Sequence, residues 1–357
     1  MPEKPDVILT FDPPGPDFPI STQSEMPNIT VTATFKNITP DPKVPLQFGW
    51  TVELAFKGSL RRHPVPHALG RIIQHPTINQ VTEKNQFTIP FSAVRGGDLT
   101  VKVAVTVGGT PLTAASEGLA IVGSNPSPAE LALVAAPIVA FRKLMFVESR
   151  FKQFLGGRQV NGMPYFSEDD KGGVGLCQVT DPSPTDEQVW KWKENIASGW
   201  QIYKTKESTA RHYPANFRTG KTFAAMVTTY NDERYRNTVE AAAKAKPPVE
   251  AKNVPRKDLA ITIPDFTDDQ VQLETIRLYN GAPLKIHEFR PKMDTAKTPK
   301  GDSLLSVTVD EANLKGTAEW ERVPVEARIQ QYKDAKLPEK NWGDPNYVDD
   351  VMASPGF

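Results

Sequence analysis

Phe146-Val147-Glu148-Ser149-Arg150-Phe151, followed downstream by Gly172-Gly173-Val174-Gly175-Leu176-Cys177-Gln178, is the stretch on which the fold turns. Upstream, Leu131, Val134, Ile138, Phe141 and Met145 recur at helical spacing, and Glu148 falls next on that stripe. A carboxyl on an apolar face resists ionisation, because burial disfavours its charged form. The negative end of the helix dipole pushes the same way if the helix stops just beyond. A carboxylic acid that stays protonated near neutral pH is what a general acid for glycosidic cleavage has to be. A Glu at a frayed helix end can instead reach into water, and perturbed carboxylates also serve purely structural networks.

A Glu-Ser pair ahead of a glycine-rich GxGLxQ segment resembles the lysozyme-like fold of soluble lytic transglycosylases and goose-type lysozymes. The resemblance implies that Glu148 is the catalytic acid, with Ser149 beside it as a substrate-binding residue. It implies that Gly175-Leu176-Cys177-Gln178 lines the glycan cleft, which makes Gly175, Leu176 and Gln178 substrate-binding residues. Cys177 stands where that family usually has Met, a swap of one soft apolar side chain for another. Asn195-Ile196-Ala197-Ser198-Gly199 resembles the family's next helix, Tyr279-Asn280-Gly281 its later YN-G motif, and Tyr347-Val348 its closing YV motif. The resemblance covers about 129–357, with long insertions. It further implies cleavage of the β-1,4 link between N-acetylmuramic acid and N-acetylglucosamine, with Gln178, Tyr279 and Asn280 positioning the glycan. No cofactor or metal is required by it.

The 357 residues suffice for two or three domains, each with its own core. Lys+Arg and Asp+Glu both total 42, so no global field steers the chain to nucleic acid or to an anionic surface. Dividing the chain at Gly123 uncovers no asymmetry between the halves. A single cysteine excludes an internal disulfide framework. Met1-Pro-Glu-Lys-Pro-Asp6 does not read as a secretory signal. The most apolar run, Ala129 to Phe141, contains Glu130 and Pro137 and is too short for the ~20 residues of a membrane span. An enzyme acting on the wall, in the periplasm or outside the cell, then needs export by another machine or a signal trimmed from the chain.

Residues 1–25 are proline-rich and read as an extended lead. From Asn28 the pattern alternates: Ile29, Val31, Ala33 and Phe35 face one way, Thr30, Thr32 and Thr34 the other. Phe48 to Phe56 and Leu99 to Val107 repeat it, with Gly96-Gly97-Asp98 and Gly108-Gly109 as turns. The expectation is a two-domain chain: an all-β, immunoglobulin-like sandwich over 1–123, and a mainly α, lysozyme-like α+β domain with insertions over 129–357. Residues 124–128 have linker composition, with Ser124 or Ser127 as a helix cap. His63, His67 and His75 lie among Pro64, Pro66 and Pro76, which break any helix that would fix a metal geometry, so a polar loop is expected there.

Pro137 is expected to kink its helix or start a second one. Thr185 to Tyr203 reads as a helix with a Thr185–Gln188 capping box, residues 222–245 as another, and a further helix leads from Asp268 into Tyr279. Trp190 and Trp200, off the main stripe of the first, suit either core packing or stacking on sugars. A small antiparallel sheet is expected from Leu284 onward, with a mobile tip around Met293 to Asp302.

The polar loop 157–171 holds the mechanistic fork. An inverting glycosidase needs a second carboxylate ~6.5–9.5 Å from the acid to activate water. Asp169, or its neighbour Asp170, sits where the resemblance to goose-type lysozymes implies such a base. A lytic transglycosylase lets the sugar's own 6-hydroxyl attack and needs only Glu148. The expected partners are peptidoglycan strands, together with an inhibitor or immunity protein or a delivery machine if the chain is an exported antibacterial effector. The alternative is a non-catalytic peptidoglycan-binding or structural protein on a lysozyme-like fold.

Overall fold

Alternating β-branched and aromatic residues build the N-terminal region from strands. The computed structural model describes residues 3–58, 72–134, 138–156, 162–167, 172–281, 286–336, 338 and 342–355. Strands β1 (Asp6–Asp12), β3 (Thr30–Lys36) and β7 (Gln86–Thr88) form one sheet in the order β1-β3-β7, where β2 is Asp17–Pro19, β4 Phe48–Lys57, β5 Ile72–Gln74 and β6 Ile78–Thr82. The second sheet runs β2-β10-β8-β4-β5, with β8 at Gly97–Val107, β9 at Thr110–Ala115 and β10 at Leu119–Val122. In it β6 adds to β4 and β9 to β8. Along β4 the burial alternates strictly, so Phe48, Trp50, Val52, Leu54 and Phe56 all enter the core. Trp50 stands opposite Val103 and Leu54 opposite Leu99. A one-residue slip of that register would turn the whole set outward.

The lead expected over 1–25 is not merely extended. β1 pairs antiparallel with β3 along its full length, from Asp6↔Lys36 to Asp12↔Thr30. Val7 is buried, with Leu9 and Phe11 packed against the same core. The prolines at 13, 14 and 16 fall between strands, where a missing N–H breaks no ladder.

Helices follow: α1 (Pro128–Val134), α2 (Val139–Ser149), α3 (Asp186–Trp190), α4 (Trp192–Arg218) and α5 (Lys221–Ala243). The helix expected over Thr185–Tyr203 carries its capping box at Thr185 and Gln188, but it divides at Lys191, which is extended at φ −114° and ψ 108°. Trp190 and Trp192, each only 1% exposed, explain the break. Two residues apart on a continuous helix they would point to different sides, whereas an extended residue between them lets both turn inward. Trp190 packs edge-on against Phe56 and stacks near Phe154. Trp192 Nε1 donates to the Thr22 carbonyl at 2.7 Å.

Compactness divides the chain inside α4, with Met1–Trp200 and Ser354–Phe357 in one unit and Gln201–Ala353 in the other. The segment 124–128 is not where this division falls. Asn125 Nδ2 donates to the carbonyls of Phe154 and Gly156, and its Oδ1 accepts from the N–H groups of Gln153 and Phe154. Gly123 lacks the β-carbon that would overlap the Phe154 ring, and Gly96 the one that would overlap Trp190. Phe154, Met163, Val174, Val189 and Trp190 thus share one hydrophobic cluster with the two sheets. Ser127 caps α1 in a reciprocal box with Glu130.

The second unit takes the rest of α4 and all of α5, then β11 (Ala260–Thr262) and α6 (Asp268–Tyr279). Strands β12 (Phe289–Pro291), β13 (Met293–Lys297), β14 (Ser303–Leu305), β15 (Val307–Asp310), β16 (Lys315–Ala318) and β17 (Trp320–Arg322) precede α7 (Val325–Asp334) and α8 (Tyr347–Ala353). They make three small sheets rather than one: β11-β16-β15, β12-β17 and β13-β14. The expected mobile tip is the β13–β14 hairpin, closed by Thr298 N–H to the Asp302 carbonyl at 3.0 Å. Glu288, fully buried, takes Arg322 on one oxygen at 2.6 Å and Arg328 on the other at 2.8 Å. Burial outweighs both arginines and raises its pKa.

Candidate functional site

The helix that carries Glu148 ends one residue later. Ser149 is the last residue of α2, and Arg150 (φ 54°) and Phe151 (φ 59°) follow in the left-handed region. Two such non-glycine residues in succession cost about 1–2 kcal/mol each. The turn is held by Arg150 N–H to the Phe146 carbonyl at 2.8 Å, by the Phe146 and Phe151 rings at 5.3 Å, and by the Arg150 guanidinium 4.9 Å over Phe146. The stripe spans two helices, α1 and α2, and Pro137 lies outside the described residues. Leu131, Phe141, Leu144 and Met145 are buried, and Glu148 lies half-buried at the C-terminal end, in the negative field of the helix dipole.

The glycine-rich segment closes against that end. Val174 and Val179 exchange backbone hydrogen bonds, both 3.1 Å, around the four residues Gly175 to Gln178. Gly175 (φ 72°) sits where a β-carbon would run into the Gln153 amide. Three buried polar side chains then fix the loop. Ser149 Oγ reaches the Leu176 carbonyl at 2.9 Å and the Met145 carbonyl at 3.1 Å. Gln153 Oε1 accepts the Leu176 N–H at 3.2 Å, while its Nε2 donates to the carbonyls of Gln188 and Val189. Asn195 Nδ2 donates to the Val174 carbonyl at 2.9 Å, and its Oδ1 accepts the Cys177 N–H at 3.0 Å. Ser149, Gln153 and Asn195 are at most 2% exposed, so each hydrogen bond is shielded from water.

Leu176 and Cys177 are fully buried. Burial, and then the nearby Glu148 carboxylate, push the Cys177 thiol well up. Gln178, at φ 47°, donates from Nε2 to the Gly175 carbonyl at 2.8 Å, while its buried Oε1 has no hydrogen-bond partner among the described residues. The amide expected to meet a sugar on both sides has one of its two N–H donors committed inside the loop.

Glu148, Ser149, Gly175, Leu176 and Gln178 thus belong to one compact unit, whereas Tyr279 and Asn280 belong to the other. Tyr279 ends α6, which opens with a Thr267–Gln270 capping box. Asn280 caps the helix, and its Nδ2 donates to the Asp344 carbonyl at 3.0 Å. Asp169 and Asp170 lie outside the described residues, as do His63 and His67. His75 is buried, with Arg95 Nη1 at 3.2 Å from its Nδ1. Among the described residues no three His, Cys, Asp or Glu side chains gather in a metal-ligand set. None of the described helices is long and apolar enough to cross a membrane.

Sequence reasoning missed Gln153 and Asn125. Each binds backbone groups far along the chain, and neither carries a local motif. No family model, no characterised protein and no solved structure matches the chain.

Proposed function

We propose that the chain is a peptidoglycan-cleaving glycosidase acting on the β-1,4 bond between N-acetylmuramic acid and N-acetylglucosamine, with Glu148 as general acid. In this reading the N-terminal sheets are an immunoglobulin-like accessory domain and the remainder a lysozyme-like catalytic domain. The observation that carries it is the grip on Leu176. The residue next to Glu148 holds the Leu176 carbonyl, and Gln153 holds its N–H. Two motifs far apart in sequence are thereby locked into one piece, as an acid and the wall of its groove must be. A half-buried carboxyl at a helix C-terminus is placed to keep a proton for the leaving oxygen. We further propose action on the wall, in the periplasm or outside the cell, as an exported antibacterial effector whose partner is an inhibitor or immunity protein or a delivery machine.

A non-catalytic wall-binding protein is the second reading, favoured by one Gln178 N–H being turned inward onto Gly175. Purified peptidoglycan separates the two. The wild-type chain is expected to clear the suspension and Glu148→Gln to leave it turbid, with unchanged circular dichroism. Undiminished lysis by Glu148→Gln removes the acid from the reaction, and no lysis by either protein establishes the non-catalytic reading. Mass spectrometry of the fragments decides the chemistry. Anhydro ends mean a transglycosylase, and reducing ends mean a hydrolase with Asp169 or Asp170 as base.

A further inference from the structure

The unit 201–353 contains a recess of about 230 Å³ between α4 and α6, lined by Thr209, Ala210, Tyr213, Asn216, Leu278 and His287 over Glu274. Its wall is built around a histidine fixed from behind. Glu274 is fully buried; its Oε1 takes His287 Nδ1 at 2.9 Å and Arg277 Nε at 3.2 Å, and its Oε2 takes the Glu288 N–H at 2.7 Å. Because the carboxylate accepts, Nδ1 is the donor, and Nε2 is the ring nitrogen left for another partner. The Tyr213 ring stacks on the imidazole with centroids 3.7 Å apart and planes 19° apart, which fixes its tilt. Burial and then the Glu274 charge raise the Tyr213 pKa, so its phenol remains a protonated donor.

We propose that this recess binds a single ring of a neutral saccharide. A recess of about 230 Å³ has room for a single sugar ring. Among the described residues Glu274 is the one carboxylate on the wall, and its oxygens are already committed to three donors. An ammonium group therefore finds no open countercharge there. What remains is a set of hydrogen-bonding groups: the Tyr213 hydroxyl as donor, the Asn216 amide as donor and acceptor, and His287 Nε2. The Thr209 hydroxyl already donates to the Thr205 carbonyl at 3.1 Å, and its oxygen can still accept. Ala210 and Leu278 supply apolar floor. A pyranose matches this with an apolar ring face edged by hydroxyls, each both donor and acceptor.

The site stands on its own geometry; only the choice of N-acetylglucosamine as probe rests on the proposed function. The test uses the full chain carrying Glu148→Gln, so that nothing turns over, and follows the His287 ring resonances by NMR. N-acetylglucosamine and glucose are titrated in, with acetate and methylammonium as charged controls. The expected result is a saturable His287 shift with a sugar and none with the charged probes. Asn216→Ala should weaken binding roughly two- to tenfold, the value of one net hydrogen bond. Thr209→Trp, at an exposed rim position, should cover the recess and abolish the shift while leaving the helical signal intact. No saturable shift with either sugar overturns the proposal, as does one that survives Thr209→Trp or one produced only by a charged probe. Wall lysis by a chain with Thr209→Trp and an unaltered Glu148 is scored separately, so losing this site leaves the catalytic reading untouched.

Discussion

Ser149 Oγ sits 2.9 Å from the Leu176 carbonyl, and through that bond the end of helix α2 takes hold of a loop 27 residues further along the chain. Both groups are buried, so water cannot replace either partner. Ser149→Ala leaves the carbonyl unsatisfied and should lower stability by about 1–3 kcal/mol. Urea denaturation measures this as a lower midpoint with an unchanged slope. A shift within error would mean that Leu176 finds another donor and that the two motifs are not coupled through this hydroxyl.

Gly175 meets two independent constraints: a left-handed φ of 72° and the Gln153 amide occupying the space of a β-carbon. Gly175→Ala should therefore destabilise by about 2–4 kcal/mol, the sum of a left-handed penalty and local overpacking. Gln153→Ala relieves only the second. The cost of Gly175→Ala should shrink in that background by roughly 1 kcal/mol. Strict additivity in the double-mutant cycle would show that the amide does not fill that space.

How much of this was legible in the sequence follows from how each residue acts. Strand β4 could be read because alternate burial leaves a period of two in the residues themselves, Phe48 through Phe56. Strand β1 hides among prolines, although Val7, Leu9 and Phe11 carry the same period, because seven residues flanked by Pro5 and Pro13 look like a stiff lead. The Glu148-Ser149 pair and the 175–178 segment were legible as local motifs. Gln153 and Asn125 were not, since a buried amide declares itself only through distant backbone partners. Trp190 shows the reverse limit. Its spacing fitted either sugar stacking or packing, and only its seat against Phe56 and Phe154 places it in the core.

Cys177 should be chemically silent in the native protein. Its thiol is fully buried and its pKa is raised well above the ordinary 9.0, first by burial and then by Glu148, so thiolate is scarce. Iodoacetamide under native conditions should leave it unmodified, while the same reagent in urea should label it completely. The sign of the pH effect follows. The folded state keeps its proton longer than the unfolded state, so stability is fully present below the unfolded thiol pKa and declines as pH rises past it. Cys177→Ala should decline less steeply over that alkaline range. Native labelling at a rate independent of denaturant would place the sulfur at the surface.

His75 should make the protein acid-sensitive in the opposite sense. Burial, and then the Arg95 guanidinium beside Nδ1, hold its pKa below the ordinary 6.5, against a smaller opposing pull from Asp186 and a hydrogen bond at Gly96. The folded state therefore refuses a proton that the unfolded state accepts. The stability this provides is present above 6.5 and lost as pH falls toward and through the lowered value. His75→Gln keeps a polar partner for Arg95 but removes the titration. Urea midpoints taken on both sides of pH 6.5 should fall for the parent chain and fall less for the variant. Carboxylates titrate in both proteins at lower pH and cancel in the difference. Parallel curves for the two chains would mean that the buried imidazole takes up its proton without penalty, and that the acid-labile groups lie elsewhere.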